Sequence, residues 1–319
     1  MSIELKGVSY TYMSKTPFEK TALSNINLNI ENGEYIAIAG HTGSGKSTLI
    51  QLAAGLIKPT IGTVVVDDVD LSSKDKASVR AARLNVGIVF QYPETQLFEE
   101  TVAKDIAFAP KNLNLDEAEI KRCVVNSMKL VGLPYEELKD VSPFDLSGGQ
   151  KRRVAIAGVL AMQPKYLILD EPTAGLDPKA RNELMENLNA LHKKQNITII
   201  LVSHSMDDIA KFANRVVILS KGRILADGTP CEIFSNIDML KNAGLAPPSS
   251  MQLLLTLKAS GFNINTNAVT IEDAEEILTK FIKKWRNTPS FSYGDISRKN
   301  LLTLPTNSSK IASAVRLPL

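Results

Sequence analysis

The sequence predicts an α/β fold with a mainly parallel sheet, an antiparallel β part, a helical insertion and a small C-terminal domain. Short apolar stretches that suit buried strands alternate with segments whose apolar residues recur every three or four positions. Polar residues gather where several of these stretches end. With 319 residues and 44% hydrophobic content, the chain can form one large domain and a smaller one. We therefore expect a ligand site beyond the carboxyl ends of the strands.

The antiparallel part is predicted at the start of the chain, in residues 3–12 and 23–30. In the second segment isoleucine and leucine alternate with asparagine, which is the pattern of a strand with one exposed face. Asn32 and Gly33 predict a turn into the apolar stretch 35–39, which suits a buried strand. Further strands are expected at residues 63–66, 86–90, 166–171 and 197–203, with a hairpin formed by residues 216–219 and 223–226.

Residues 99–160 change character and are predicted to be largely helical. Apolar residues recur at helical spacing in residues 101–108, 116–131 and 147–160. We interpret this block, about residues 92–160, as a helical subdomain inserted between strands of the sheet. Another helix is expected from Pro178 to about Lys193, because proline suits the first helical position.

The main domain is predicted to span residues 1–232 and a small C-terminal domain residues 233–285. In the latter, residues 251–260 and 271–285 predict two amphipathic helices after a proline-rich linker or turn. The last stretch, residues 286–319, is rich in Ser, Asn, Thr and Lys, and we expect a disordered or loosely docked tail.

Composition and charge exclude several classes of protein. The net charge of +3 is too small to indicate nucleic-acid binding by itself. No stretch of eighteen apolar residues predicts a membrane span, and the first residues lack the features of a signal peptide. Cys123 and Cys231 have no metal-ligand spacing, so we expect free thiols in a reducing cytoplasm.

The most informative motif is a glycine-rich loop between a predicted strand and a predicted helix. It fits the pattern of a phosphate-binding loop at every fixed position. Glycines let backbone amides turn inward around an anion, and the helix start adds unpaired donors. Lys46 is expected to contact the β- and γ-phosphates of a nucleotide, and Ser47 a Mg²⁺ ion. The flanking strand and helix disfavour a chance glycine-rich turn. The candidate binding residues of this loop are Gly40, His41, Thr42, Gly43, Ser44, Gly45, Lys46, Ser47 and Thr48.

Polar residues at other strand ends predict the chemistry of hydrolysis. Asp170 and Glu171 follow an apolar strand and suit a Mg²⁺ ligand and a base that polarises water, although a solvated strand end would also carry carboxylates. His204 ends the next strand, where its imidazole could reach a γ-phosphate. Gln91 ends another strand and could contact Mg²⁺ or the water. Tyr12 suits either adenine stacking or a strand edge, and its residue type does not decide between them.

A second candidate anion site lies at the predicted helix start Ser147, within the sequence Leu-Ser-Gly-Gly-Gln. Its hydroxyl and the backbone amides of Gly148, Gly149 and Gln150 suit an anion. The basic residues Lys151, Arg152 and Arg153 follow, and we interpret them as a solvated or nucleotide-facing turn rather than a nucleic-acid patch.

The ordered set of these motifs resembles that of ATP-binding cassette ATPases over about residues 1–232. The phosphate loop, Gln91, the Leu-Ser-Gly-Gly-Gln sequence, Asp170-Glu171, Asp177 and His204 occur in the family's order. The resemblance implies a P-loop NTPase core and a head-to-tail dimer that holds ATP between the phosphate loop of one subunit and Ser147–Gly149 of the other. It further implies that Glu171 is the catalytic base, His204 the switch residue, Asp177 a cross-subunit contact and Tyr12 an adenine platform.

Residues 91–98 and 105–110 are similar to those of the ATPases of energy-coupling factor (ECF) transporters, and residues 16–20 and 142–144 resemble the second of their two paralogous ATPases. This resemblance implies ATP and Mg²⁺ as cofactors and a peripheral location at the cytoplasmic face of the cell membrane. The implied partners are a paralogous ATPase or a second copy, a transmembrane coupling subunit and a substrate-binding membrane subunit, without nucleic acid. The C-terminal domain would contact the partner ATPase.

The expected function is therefore that of an ATP-hydrolysing subunit that energises uptake of vitamins or other micronutrients. An ATPase of a conventional importer for amino acids or metals is the main alternative. A DNA-repair ATPase is less favoured, because no long coiled coil separates Gln91 from Ser147. A regulatory protein without catalysis is disfavoured by the presence of Glu171 and His204. The transported compound is not encoded in this chain, because substrate choice would lie in another subunit.

Overall fold

The computed structural model describes residues 1–286, with side chains described as far as Lys283. Within the chain the first compact unit spans Met1–Ala246 and the second begins at Pro247. The predicted tail, residues 286–319, lies outside the described residues except for Arg286. No helix within residues 1–286 is both long and apolar enough to span a bilayer.

Two sheets form the first unit. The six-stranded sheet has the order β10-β9-β3-β8-β7-β6, and it is parallel except for β10, which pairs with β9 in the antiparallel direction. The four-stranded sheet is antiparallel, with the order β2-β1-β4-β5. The strands are β1 Ser2–Tyr12, β2 Lys20–Glu31, β3 Tyr35–Ala39, β4 Ile61–Val66, β5 Val69–Asp70, β6 Val86–Val89, β7 Tyr166–Asp170, β8 Thr198–Val202, β9 Arg215–Ser220 and β10 Arg223–Gly228.

Ten helices of the described residues belong to the first unit and two to the second. They are α1 Lys46–Ala53, α2 Lys76–Leu84, α3 Val102–Asn112, α4 Glu117–Leu130, α5 Tyr135–Leu138, α6 Gly148–Leu160, α7 Pro178–Gln195, α8 Met206–Phe212, α9 Pro230–Ser235, α10 Ile237–Asn242, α11 Ser249–Ala259 and α12 Ile271–Arg286. Short 3₁₀ helices occur at Pro93–Gln96 and Pro143–Asp145.

The insertion between β6 and β7 consists of helices, as its periodicity predicts. The side chain of Thr101 caps α3 by accepting from the amide of Lys104, and Asp116 forms a capping box with Glu119 at α4. Helices α3, α4 and α6 pack against one another. These caps explain why the observed helix starts agree with the predicted ones.

The first unit continues beyond residue 232, where the sequence places the end of the main domain. Helices α9 and α10 belong to this unit. Phe234 and Leu240, one on each helix, are fully buried. Since burying two large apolar side chains stabilises the packing, the unit ends only after Ala246.

The second unit packs α11 against α12. Leu254, Ile264, Ala268 and Ala274 form its buried cluster. The Ser250 hydroxyl donates to the carbonyl oxygen of Ala268 over 3.1 Å, which ties the start of α11 to the loop before α12. The two amphipathic helices predicted for this region are therefore present.

The pairing of three parallel strands places the site residues. Ile38 of β3 pairs with Val202 of β8, and Val202 also pairs with Asp170 of β7. All three strands are buried along their whole length. Because parallel strands share one carboxyl edge, the residues that follow β3, β7 and β8 come together at this edge.

Candidate active site

The glycine-rich loop joins β3 to α1 in a conformation that requires glycine at specific places. Gly43 has φ of +80° and Gly45 +110°, in the region that side-chain-bearing residues rarely occupy. A Cβ on Gly45 would lie 2.6 Å from Cδ2 of Leu23, and one on Gly40 would lie 2.3 Å from the carbonyl oxygen of Leu219. The glycines therefore allow both the backbone turn and its close packing.

Lys46, the first residue of α1, folds back into the loop. Its Nζ donates to the carbonyl oxygen of Gly40 over 2.7 Å and to that of His41 over 3.1 Å. Burial lowers the pKa of Lys46, while the carboxylates of Glu171 and Asp170 oppose this effect. An ammonium group is thus held inside the loop by carbonyl oxygens and nearby carboxylates.

The other loop side chains differ in exposure. The Ser44 hydroxyl is buried, and none of the described residues forms a hydrogen bond with it. The His41 ring lies beside its own loop, with Nδ1 2.7 Å from the carbonyl oxygen of Thr42. Thr42, Gly43 and Ser47 are exposed, whereas Thr48 is buried. A buried hydroxyl without a partner inside an amide-lined loop fits the binding of an anion.

Two adjacent carboxyl groups follow β7. Asp170 is buried and hydrogen-bonds with the Ser47 side chain. Burial raises its pKa, while the charge of Lys46 and the Ser47 hydroxyl act in the opposite direction. Glu171 has a φ of +51°, an uncommon conformation for a non-glycine residue, and its amide donates to the carbonyl oxygen of Val202 over 2.9 Å. The strand-end pair is therefore fixed by β8.

Glu171 has the most unusual electrostatic environment of these groups. Burial, followed by the charge of Asp170, raises its pKa to about 7, and Lys46 and the backbone amide of His204 oppose the shift. Its Oε1 is buried and accepts no hydrogen bond from the described residues. The nearest imidazole atom, Nε2 of His204, lies 3.4 Å from this oxygen. A carboxyl group that titrates near neutrality and has a free acceptor oxygen suits proton transfer.

His204 follows β8 and is held through its neighbours. Burial, and secondarily the charge of Lys46, lowers its pKa, so the imidazole is neutral at pH 7. Ser205 caps α8, and its hydroxyl lies within hydrogen-bond distance of Arg181, which also pairs with the buried Asp208 over 2.7 Å. Residue types alone do not indicate this network, because Arg181 lies far along the chain from Ser205 and Asp208.

Four predicted residues thus come together at the edge of the sheet: Lys46, Asp170, Glu171 and His204. We refer to them as the strand-end cluster. Tyr12 ends β1, and its hydroxyl lies 3.1 Å from that of Thr48, while the residue is 40% exposed and its ring packs edge-on against that of Tyr10. Gln91 follows β6 and is exposed. Tyr12 therefore lies at a strand end and Gln91 just after one, as the sequence predicts.

The Leu-Ser-Gly-Gly-Gln sequence, residues 146–150, opens α6 as predicted. The Ser147 hydroxyl accepts from the amide of Gln150 over 3.3 Å, and Oε1 of Gln150 accepts from the amide of Ser147 over 3.0 Å. Asp177 caps α7 by accepting from two backbone amides over 3.0 Å each. Ser147, Gly148 and Asp177 are exposed, and within residues 1–286 no hydrogen bond joins them to the phosphate loop.

The prediction of a solvated basic turn after Gln150 is wrong for Arg152. Its side chain is buried beside Glu94, and the neighbouring Arg153 donates to the carbonyl oxygen of Gly132 over 3.3 Å. The helix that starts at Ser147 turns Arg152 inward, because α6 packs on the segment that follows β6. Within a run of charged residues, helical periodicity indicates only weakly which side chain faces inward. The burial of Arg152 is therefore not evident from the residue types.

A phosphate-binding loop beside two strand-end carboxyl groups and a histidine defines a nucleoside triphosphatase site. A family model described as ABC transporter matches residues 23–174. An energy-coupling factor transporter ATP-binding protein EcfA2 from Clostridium tetani is 56% identical over 280 residues, which cover 88% of this chain and 97% of the relative. A protein of the same name from Clostridium perfringens is 54% identical over 283 residues and is covered to 99% of its length.

Solved structures that resemble this chain are also ATP-binding cassette proteins. The structure of cbiO1 from Clostridium perfringens, described as part of an ABC transporter complex, has a TM-score of 0.66 and 40% identity, with 75% of this chain and 93% of that chain covered. A dimeric ATP-binding cassette bound to ADP and phosphate has a TM-score of 0.64 and 31% identity, with 71% and 98% covered. The chain therefore belongs to the ABC transporter ATPases and, within them, to the ATP-binding proteins of energy-coupling factor transporters.

This membership confirms the predicted α/β fold with a P-loop NTPase core, the binding of ATP and its hydrolysis coupled to transport. The conventional-importer and DNA-repair alternatives are accordingly set aside. The roles of individual site residues remain predictions.

The ionisation of Glu171 can be measured directly. In the nucleotide-free protein its side-chain carboxyl carbon should titrate near pH 7 in a carbon-13 NMR experiment, with the signal assigned by its loss in Glu171→Gln. In Asp170→Asn the pKa should fall, because a neighbouring negative charge is removed. Titration of Glu171 near 4.5, the ordinary value of glutamate, would contradict this description of the site.

Proposed function

We propose that this chain hydrolyses ATP at the strand-end cluster and thereby drives an ECF-type importer of vitamins or other micronutrients. The observation that carries the proposal is Glu171, whose carboxyl group has a pKa near 7 and a buried oxygen free to accept a proton. The proposed phosphate ligand Lys46 and the proposed Mg²⁺ ligand Asp170 are close enough for their charges to influence the ionisation of Glu171.

The phosphate loop supplies the binding site for the polyphosphate. The Lys46 ammonium, the partnerless Ser44 hydroxyl and the backbone amides that a glycine-rich loop turns inward are donors of the kind that phosphate oxygens require. Binding would exchange the two carbonyl contacts of Lys46 for contacts with phosphate. The Tyr12 ring, exposed at the end of β1, is the proposed adenine platform.

The donor set beside the loop fits a Mg²⁺ ion that arrives with ATP. Ser47 and Asp170 are adjacent hard oxygen ligands, and Gln91 is the proposed third. Within residues 1–286 no three His, Cys, Asp or Glu side chains form a metal site of their own. The bound ion would neutralise charge that develops on the transferred phosphoryl group.

Glu171 is the proposed general base for the attacking water. In its ionised form it would accept a proton from water, and the backbone amide of His204 helps to hold the carboxylate. The neutral imidazole of His204, 3.4 Å from Oε1, can donate a hydrogen bond to the γ-phosphate without adding a charge that would compete for the carboxylate.

Residues 147–150 and Asp177 support a composite site formed by two ATPase subunits. Ser147 and Gly148 present a hydroxyl and helix-start amides on the surface rather than to the chain's own phosphate loop. An exposed anion-binding helix start suits the nucleotide of a second subunit in a head-to-tail dimer. The proposed partner is a paralogous ATPase, with a second copy as the alternative, and the unit that begins at Pro247 is proposed to add to this contact.

Exposed aromatic side chains support docking to a membrane subunit. Phe98 and Phe108 pack edge to face with ring centroids 4.9 Å apart, yet both remain exposed, as do Tyr92 and Phe144. These side chains belong to the helical subdomain or its entry, and exposed apolar surface of this kind marks interaction sites. We assign it to a transmembrane coupling subunit, with a separate membrane subunit selecting the substrate and this chain bound peripherally at the cytoplasmic face. No nucleic-acid partner is proposed.

Replacement of Glu171 by glutamine tests the proposed base. The Glu171→Gln variant should bind ATP with wild-type affinity and turn it over roughly 10²–10⁴-fold more slowly, since a positioned general base contributes that factor. Nucleotide affinity and phosphate release are the two measurements. A loss below tenfold would contradict the assignment.

Replacement of Lys46 by alanine tests the phosphate contact. The variant should lose most of its ATP affinity, because a charge-assisted contact to the β- and γ-phosphates is removed. The exposed Lys58→Ala is the matched control and should bind ATP as the wild type does. Equal affinities for all three proteins, measured by calorimetry, would refute the contact.

Purification from native membranes in mild detergent, followed by mass spectrometry, tests the assembly. A second cassette ATPase with one large and one small membrane protein is the expected result. An alanine variant of both Phe98 and Phe108 should lose the membrane proteins but retain the second ATPase, because aromatic anchors contribute strongly to interfaces. A permease pair with an external binding protein would instead indicate a conventional importer.

A further inference from the structure

Arg152 occupies an unexpected position within the helical subdomain. It lies on α6, one turn after Ser147, and its side chain is only 2% exposed. Burying a guanidinium ion is unfavourable unless nearby groups compensate its charge. The surroundings of this side chain therefore indicate what the charge interacts with.

The compensating charge comes from the segment that follows Gln91. Nε of Arg152 lies 3.4 Å from Oε2 of Glu94, which belongs to the 3₁₀ helix Pro93–Gln96. The Arg152 Cζ atom is also 5.8 Å from the centre of the Tyr92 ring. Two contacts of different kinds thus join the helix that carries the Leu-Ser-Gly-Gly-Gln sequence to the residues next to Gln91.

A third segment of the nucleotide site reaches the same arginine. Nη1 of Arg152 is 3.9 Å from the place that a Cβ on Gly175 would occupy, two residues before Asp177. Cδ2 of Leu176 is 3.3 Å from the corresponding place on Gly149. Arg152 is therefore at the point where the segments of Gln91, Ser147 and Asp177 meet.

The Arg152–Glu94 contact is a charge pair rather than a directional bond. Nε and Nη2 of Arg152 and Oε2 of Glu94 are buried, and none of them has a hydrogen-bond partner within residues 1–286. Buried polar atoms of an ion pair in a well-packed core normally have hydrogen-bond partners. Charge attraction rather than a hydrogen bond therefore holds the two segments together.

We propose that Arg152 and Glu94 form a clamp that positions Gln91 for ATP hydrolysis by fixing the segment 92–96 on α6. Tyr92 has a φ of +58°, so the chain turns sharply between Gln91 and the clamped 3₁₀ helix. Because Gln91 is exposed and follows the last residues of β6, its side chain depends on this anchored turn for its position. Arg152 and Glu94 are positioning residues, and the proposal rests on the role proposed above for Gln91.

The two members of the clamp differ in what their loss would do. The Glu94 side chain is 26% exposed and can turn to water when Arg152 is replaced. Arg152 cannot do so without leaving its site on α6, and without Glu94 its charge lacks the compensating carboxylate. Arg152→Met, which keeps an unbranched apolar stem but removes the charge, is therefore the milder variant, and Glu94→Gln the more disruptive one for folding.

The test compares steady-state ATP hydrolysis and ATP affinity of the purified full chain in single and double variants. Arg152→Met should lower kcat about 10- to 100-fold, the range expected when a reacting group is misplaced, with ATP affinity within about twofold of wild type. Gln91→Ala should lower kcat as well. In the Gln91→Ala background, adding Arg152→Met should change kcat by less than about twofold, because both changes act through one side chain. Arg122→Met removes an arginine from an exposed pair with Glu119 and is the matched control, expected to hydrolyse ATP normally.

Hydrogen exchange supplies a readout that does not depend on activity. Amides of residues 92–98 should exchange faster in Arg152→Met and Glu94→Gln than in wild type or Arg122→Met. Unchanged exchange together with wild-type kcat in Arg152→Met overturns the clamp. An equal fall in kcat with and without Gln91 also overturns it, since Arg152 would then act by another route. If Gln91→Ala keeps wild-type kcat, the proposed role of Gln91 fails instead, and exchange alone decides whether the clamp exists.

Discussion

The site depends on the burial of opposite charges at the shared edge of β3, β7 and β8. Two carboxyl groups and one ammonium group lie there: Lys46 lowers the pKa of both carboxyl groups, and Asp170 raises that of Glu171. Burial favours the neutral forms, and one lysine does not offset two carboxylates. Glu171 is the group left near its protonation midpoint at pH 7. The strand pairing that holds Asp170 beside Val202 therefore sets the chemistry of the neighbouring glutamate.

The sequence predicts those parts of the structure where the type of residue indicates its physical role. Fully buried strands are continuous apolar stretches, and glycine occupies the loop positions where a Cβ would collide with neighbouring atoms, Gly40 and Gly45. Helix α2 was not predicted, because only Val79 and Ala82 are buried along it and its start depends on the capping side chain of Asp75. The burial of Arg152 could not be predicted either, since an arginine in a basic stretch is usually solvated.

Some site residues have hydrogen-bond or charge partners near the nucleotide site within the chain, and others do not. Lys46 and Asp170 have partners in the same sheet edge or loop, whereas the buried Oε1 of Glu171 has no hydrogen-bond partner among the described residues. Ser147 and Asp177 use their side chains to cap their own helices, and both remain exposed. The caps fix the direction of the helix starts, so the exposed amides point outward in a defined geometry. That arrangement suits the recognition of a second subunit's nucleotide proposed above.

Helix α6 connects the two kinds of site. Its first residue presents the exposed amides that we assign to a second subunit, and one turn later Arg152 contacts the segment beside Gln91. A helix is stiff over this distance because each turn is hydrogen-bonded to the next. A displacement imposed at Ser147 by a second subunit must therefore also move the guanidinium group of Arg152 or strain its contact with Glu94. The exposed residues Tyr92 and Phe98 flank the same segment, so a membrane subunit seated there would sense the nucleotide through one buried charge pair.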